Sequence, residues 1–474
     1  MTRRSAAVAA AAAAVLFAAL PEPALAHGIQ QKRDLPIPDW LFVWGAAIVL
    51  LISFLAFAVL WPKPRLEEAG WKPVPALRLL TSRPVEIACG AIGVLLLVLV
   101  VYSGLAGDET DNLAPTFVYV VFWVGLVVVS VLLGDVFRAF NPWRAVGRAV
   151  SWAFGRGGRA AADAFPYPER LGHWPAAAGL LAFTFMELVV DVGTEPRPLA
   201  IGALVYSAVT WFCMSLYGVE RWSERGEAFS VYFGLFARLS VLERRGDAIG
   251  RRPFLSGLAD FTPIAGTTAL LAAMIGSTSF DGLSVGRLWR QDLQPSLIDL
   301  FESLGLSGHG AAQFADGLGL LLTILVVLGF YRLGIAGART AGGDMSAGRL
   351  ARAFVHSLVP IALAYVLAHY VSLLLIQMQA VPALLSDPLG HGSDLFGTGG
   401  WTVDPNWVSP ETLWYLQVGF VVGGHVAALA LAHDRALALY DRASVAVRSQ
   451  YWMLAVMVGF TCLALWLLSE VAQG

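Results

Sequence analysis

The chain has 474 residues, 57% of them hydrophobic and only 14% charged, with a formal net charge of −2; its mean hydropathy is +0.66. Soluble domains carry about 25% charged residues, so this balance argues against an ordinary globular protein and predicts an all-α, polytopic transmembrane helix bundle. A basic tail, an RNA-binding signature and a helix-turn-helix pattern are all missing from the sequence, which sets nucleic acid aside as a partner.

Residues 1–26 read as a secretory signal peptide. Arg3 and Arg4 form the positive n-region, an alanine-rich run follows, and Ala24-Leu25-Ala26 fits a cleavage site. Cleavage there starts the mature chain at His27, outside the cytoplasm. Residues 27–474 then form the integral membrane bundle. About ten apolar stretches of spanning length follow, at 40–61, 87–106, 115–134, 175–194, 199–217, 262–279, 314–331, 353–378, 412–432 and 451–471. The stretch at 262–279 is the weakest, because its end, STSFDG, is polar. The run AFSVYFGLFARLSVL at 228–242 is short and basic, and is expected to lie in the membrane interface. The linkers 62–86, 135–174, 218–261, 332–352 and 433–450 hold most of the Lys and Arg and are assigned to the inside. The segments near 106–112 and 192–198, and the longer loops 280–313 and 379–411, are assigned to the outside. Ten crossings place both the mature N-terminus and the C-terminus outside, at a bacterial plasma membrane. The loop 379–411 is dense in turn formers and could cap the outer face; its Trp401 and Trp407, with Trp414 and Tyr415, read as an aromatic belt. Cys89, Cys213 and Cys462 all lie in apolar runs and read as small hydrophobes rather than disulfide or zinc-thiolate partners. No internal repeat is visible.

Ionisable side chains at membrane depth are costly and usually face one another or a cavity. In 175–194, the spacing of Thr184, Glu187, Asp191 and Thr194 places them on one helical face. In 353–378, Tyr365, His369 and Ser372 share a face, and Pro360 is expected to kink the helix. In 412–432, Gln417 and His425 are loosely co-facial, and Gly419 with Gly423 forms a GxxxG pair that would admit a close neighbour. His433 and His356 fall at the inner boundary. They read as a headgroup-level helix end and a structural residue. Glu187, Asp191, His369 and His425 are therefore the candidate catalytic or metal-binding set, because imidazole with carboxylate is a ligand shell for zinc or a related divalent ion. No local metal motif exists, so the four would have to converge through the fold. An outer copper site at His27, aided by His309 or His391, is a separate reading.

Four runs carry a family resemblance: HGIQQKRDLPIPDWLF, ERWSERGEAFSVYFGLFARLS, SDPLGHGSDLFGTG and GHVAALALAHDRAL. They resemble bacterial polytopic membrane proteins labelled fenitrothion hydrolase, over nearly the whole chain. The resemblance implies hydrolysis of an apolar organophosphorus ester with release of a phenol, and transfers no catalytic residue. Metal-assisted attack of water would suit such chemistry; GxSxG is absent. Three functions stay open on the sequence: a membrane-embedded phosphotriester hydrolase, a proton- or ion-coupled transporter using the same buried groups, and a structural subunit of a membrane complex.

Overall fold

A computed structural model describes residues 39–156, 165–190, 192–341 and 345–473. The signal segment 1–26, His27 and Asp191 lie outside the described residues, so the cleavage and copper readings fall beyond it. Among the described residues, nine stretches of helix are long and apolar enough to cross a membrane. The protein is an all-α polytopic membrane bundle. The spans are α1 (Asp39–Leu60), α2 (Arg83–Ala106) and α3 (Leu113–Leu133); α3 contains a π-helical stretch, Phe117–Gly125. After the helices α4 (Pro142–Arg156) and the short α5 (Trp174–Leu188) comes the span α6 (Pro196–Tyr217). Two short helices, α7 (Val219–Arg225) and α8 (Ala228–Ala237), precede the spans α9 (Thr267–Val285) and α11 (Gly308–Ala338), with α10 (Gln294–Ser303) between those two. Helix α12 (Ala347–Phe354) leads through a 3-10 turn into α13 (Leu358–Gln377) and α14 (Val381–Ser386), which together count as one crossing. The last two spans are α15 (Pro410–Leu439) and the pair α16 (Ala443–Ser449) and α17 (Tyr451–Gln473).

The stretch expected at 175–194 is the one that falls short. Helix α5 ends at Leu188, which at helical rise makes it about 22 Å long. Beyond it the chain turns: Val190 N–H reaches back to the Phe185 carbonyl, Gly193 N–H bonds Val190, and Pro196 opens α6. The expected four-residue stripe therefore stops at Glu187. Thr184 donates its hydroxyl to its own helix, at Leu180 and Leu181, and Thr194 is exposed in the turn. The second departure is at α8. Phe229, Val231, Tyr232, Phe233, Leu235, Phe236 and Ala237 are all buried, so the segment is an interior helix rather than an interfacial one. A helix apolar on every side has no solvent face to present and is enclosed by its neighbours. Its N-cap is the fully buried Glu227. This carboxylate accepts the N–H groups of Phe229 and Ser230 at 2.9 Å, the Asn141 amide at 3.0 Å, and the hydroxyls of Tyr206 and Ser230.

The linkers assigned to the inside gather at one end of the bundle. Lys72–Pro73 (β1), Leu242–Arg245 (β2) and Ala248–Arg251 (β3) form an antiparallel sheet of order β1-β3-β2, with Lys72 and Leu242 flanking Arg251. Glu86 pairs with Arg144 at 3.5 Å, Arg148 at 3.0 Å and Arg244 at 3.2 Å, and Glu220 pairs with Arg144 at 3.0 Å. Buried Asp434 accepts the Trp61 indole at 2.9 Å and the N–H groups of Arg65, Leu66 and Glu67 at 2.6, 3.1 and 3.0 Å. Its neighbour His433 is not an exposed helix end. It is buried, stacked on Phe57, with Nδ1 3.2 Å from Gln450 Oε1 and Nε2 3.1 Å from the Trp61 carbonyl. The segments assigned to the outside meet at the other end: Asp108 N–H bonds the Leu389 carbonyl at 2.8 Å, and Gly390, at φ +69°, sits against the Asp111 carbonyl where a side chain has no room.

Helices α9 and α13 are the most enclosed spans, and α1 and α2 the least. Pro360 does not kink α13. It lies in that helix's first turn, just after the 3-10 turn Val355–Ser357, where a missing N–H costs nothing. The close packing of α13 on α15 rests on Gly424, where a Cβ would meet the Ala364 Cβ at 2.3 Å and the Pro360 carbonyl at 2.7 Å. The GxxxG pair has no such role: Gly419 and Gly423 both face open space. One residue further along a helix turns the contact by about 100°.

Candidate functional site

The polar centre of the bundle is Asp281, one turn before the end of α9. Three helices converge on it. His369 Nε2 from α13 lies 2.9 Å from Asp281 Oδ2, and the next residue, Tyr370, donates its hydroxyl to the same oxygen at 2.7 Å. The two rings meet edge to face at 4.6 Å. With the carboxylate as acceptor, Nε2 carries the donated proton and Nδ1 keeps the second ring position. Glu187, in the last turn of α5, stands within electrostatic reach of Asp281, Tyr370, Tyr119 and Tyr232. Its Oε2 is buried and accepts no hydrogen bond.

Aromatic side chains close the centre from the remaining sides. The π-helical part of α3 presents Tyr119 and Trp123. A widened helical turn of this kind often marks a functional position. Tyr119 donates to the Gly193 carbonyl at 3.2 Å, which ties α3 to the turn after α5. Trp123 stacks flat on Tyr232 of α8 at 4.5 Å. The Tyr232 hydroxyl is buried without a partner, and the Trp123 indole N–H faces the Tyr370 hydroxyl. The centre thus combines one engaged acid–imidazole–phenol cluster with two unsatisfied polar atoms, Glu187 Oε2 and the Tyr232 hydroxyl, where buried polar groups are ordinarily paired.

A small cavity of about 30 Å³ opens beside His369, lined also by Thr278, Ser279, Gly282 and Tyr365. That is room for water molecules and not for a bulky ester. A third carboxylate, Asp316 of α11, is engaged by the Trp289 indole and the Gln294 amide, each at 2.8 Å.

Of the four residues proposed from the sequence, Glu187 and His369 come together, each through Asp281. Asp191 lies outside the described residues. His425 stands apart: it is fully buried, its Nδ1 lies 2.7 Å from the Val421 carbonyl, and its ring faces Tyr365 and Phe460 at 6.5 and 6.2 Å. Among the described residues, no group of three or more His, Cys, Asp or Glu is spaced to hold a metal ion. Asp281 and His369 turn their facing atoms on each other, an arrangement between which a proton can be shared. Sequence reasoning missed Asp281 because the apolar span was ended at 279. Ser277, Thr278, Ser279 and Asp281 in one apolar helix were the available signal. Tyr119, Trp123, Tyr232 and Tyr370 gave none, since aromatics at such positions are ordinary core.

The comparisons with known proteins find no matching family model, no curated relative and no similar solved structure.

Proposed function

We propose that this chain is an ion-coupled transport protein of a bacterial plasma membrane, in which the Asp281–His369 pair takes up and releases a proton. The observation that carries the reading is this pair, at membrane depth, beside a water-sized cavity and next to the unpartnered carboxyl oxygen of Glu187. Carboxylates and histidines that face a bundle interior are the parts of proton relays. A carboxylate fixing one imidazole nitrogen leaves the other to exchange protons with water. Tyr370 adds a second hydrogen bond that holds Asp281 in place while His369 changes state.

The test is proton flux in proteoliposomes carrying an internal pH dye, driven by a potassium diffusion potential, with and without added apolar phenols and esters. The wild type is expected to acidify the lumen faster than empty vesicles, and Asp281→Asn and His369→Gln to abolish the difference. Wild-type flux equal to that of Asp281→Asn under every condition rejects the reading.

A second reading, phosphotriester hydrolysis, is supported by the same dyad, because a carboxylate-oriented imidazole is the arrangement a general base requires. Apolar esters would reach it from the lipid after the cavity widened. Release of a nitrophenol from a nitrophenyl phosphorothioate triester by purified protein, lost in His369→Gln, supports it. No release above buffer removes it.

A further inference from the structure

Two cavities stack along the same three helices. The one beside His369 is walled by Ser279 of α9, by Tyr365 and Ala368 of α13, and by Ala464 of α17. A second, of about 60 Å³, lies a turn or more nearer the basic end. It is walled by Ile275 of α9, Ile361 of α13 and Met457 of α17, with Tyr331 of α11. In each helix the residues of the second cavity precede those of the first, so the two lie one above the other. Between them the Tyr365 and Phe460 rings stack at 5.6 Å. Tyr365 belongs to the first cavity and Phe460 to the second.

His425 lines neither cavity but packs against both rings of this partition, with centroids 6.5 Å from Tyr365 and 6.2 Å from Phe460. Its Nδ1 faces a carbonyl oxygen, which only accepts, so Nδ1 holds the ring proton and Nε2 presents a lone pair. That Nε2 is buried with no partner. Among the described residues no charged side chain faces it: α13 offers Tyr365, α17 offers Phe460, and its own helix offers the Val421 carbonyl. A buried acceptor left unsatisfied draws whatever donor or cation can reach it.

We infer that α9, α13 and α17 enclose one passage divided by the Tyr365–Phe460 stack, and that His425 Nε2 is a binding site in it for a water-sized hydrogen-bond donor or small cation. The inference rests on the proposed transport role for its purpose, but not for its test. The probe is silver ion, a small cation that seeks thiols and lone pairs. Protein with Cys89, Cys213 and Cys462 replaced by alanine carries Ser279→Cys as reporter, and silver is added to sealed vesicles from either face. Protection of the thiol from a maleimide, read after quenching and unfolding, gives the rate. The reporter is expected to react from one face only. Phe460→Ala, or Phe460→Leu should the alanine variant fail to fold, is expected to open the second face, raising that rate by an order of magnitude or more. Adding His425→Leu to the opened protein is expected to slow it again. Reaction from both faces before the ring is trimmed, no reaction from the second face afterwards, or no effect of His425→Leu overturns the inference. None of these readouts needs proton flux, so absence of flux and absence of a passage are separate results.

Discussion

Asp281 is the residue on which the centre depends, because one of its oxygens serves two donors from adjacent positions of α13. Adjacent helical residues point about 100° apart, and the acid reaches both because it enters from another helix. Asp281→Asn keeps the shape but exchanges a charged acceptor for a weaker neutral one. It is expected to lower stability by about 1–3 kcal/mol, seen as an earlier thermal transition of tryptophan fluorescence in detergent. Tyr370→Phe, which removes a single donor, should cost about 1 kcal/mol. Asp281→Asn melting with the wild type would mean that the cluster holds nothing together.

Among the elements, the α13–α15 pair and the loop after α14 lend themselves to measurement. Gly424 is where the two helices touch, so Gly424→Ala should cost about 1–3 kcal/mol through overpacking. Gly419→Ala and Gly423→Ala, facing open space, should be neutral or stabilising by up to about 1 kcal/mol through helix propensity. Equal effects at all three positions would refute the assignment. In the loop, the Ser393 hydroxyl and the N–H groups of Gly392 and His391 hold the Asp387 carboxyl below its ordinary range. A carboxylate depressed in the folded state contributes order above its unfolded value of about 3.9 and loses it as pH falls through the folded value. Amide exchange across 387–399 should therefore rise only below about pH 4. Asp387→Ala should show the raised exchange at neutral pH, and unchanged protection in that variant would sink the account.

At the scale of the whole molecule, the basic linkers act as a clamp on one end of the bundle. Arg144 is buried between Glu86 and Glu220, so Arg144→Ala leaves acidic groups short of a partner and is expected to cost about 2–3 kcal/mol. Arg138, more than a third exposed in its pair with Glu220, should cost under about 1 kcal/mol when removed. Chemical unfolding in mixed micelles compares the two, and equal losses would show that the clamp is only a surface charge pattern.

What the sequence by itself determined is the all-α membrane bundle, nine of its spans, and which linkers share a side. A bilayer demands a minimum apolar length, and charge segregates by linker; both are local properties that a window of residues displays. Only the tertiary structure decided that His369 finds Asp281 rather than His425, that α8 is interior, and that Gly424 rather than the GxxxG pair makes the contact. Those outcomes depend on how each helix is rotated and how deep it sits against its neighbours. A span's sequence limits neither closely, because lipid-facing and helix-facing positions are equally apolar and the hydrophobic pattern that orients a helix in water is lost.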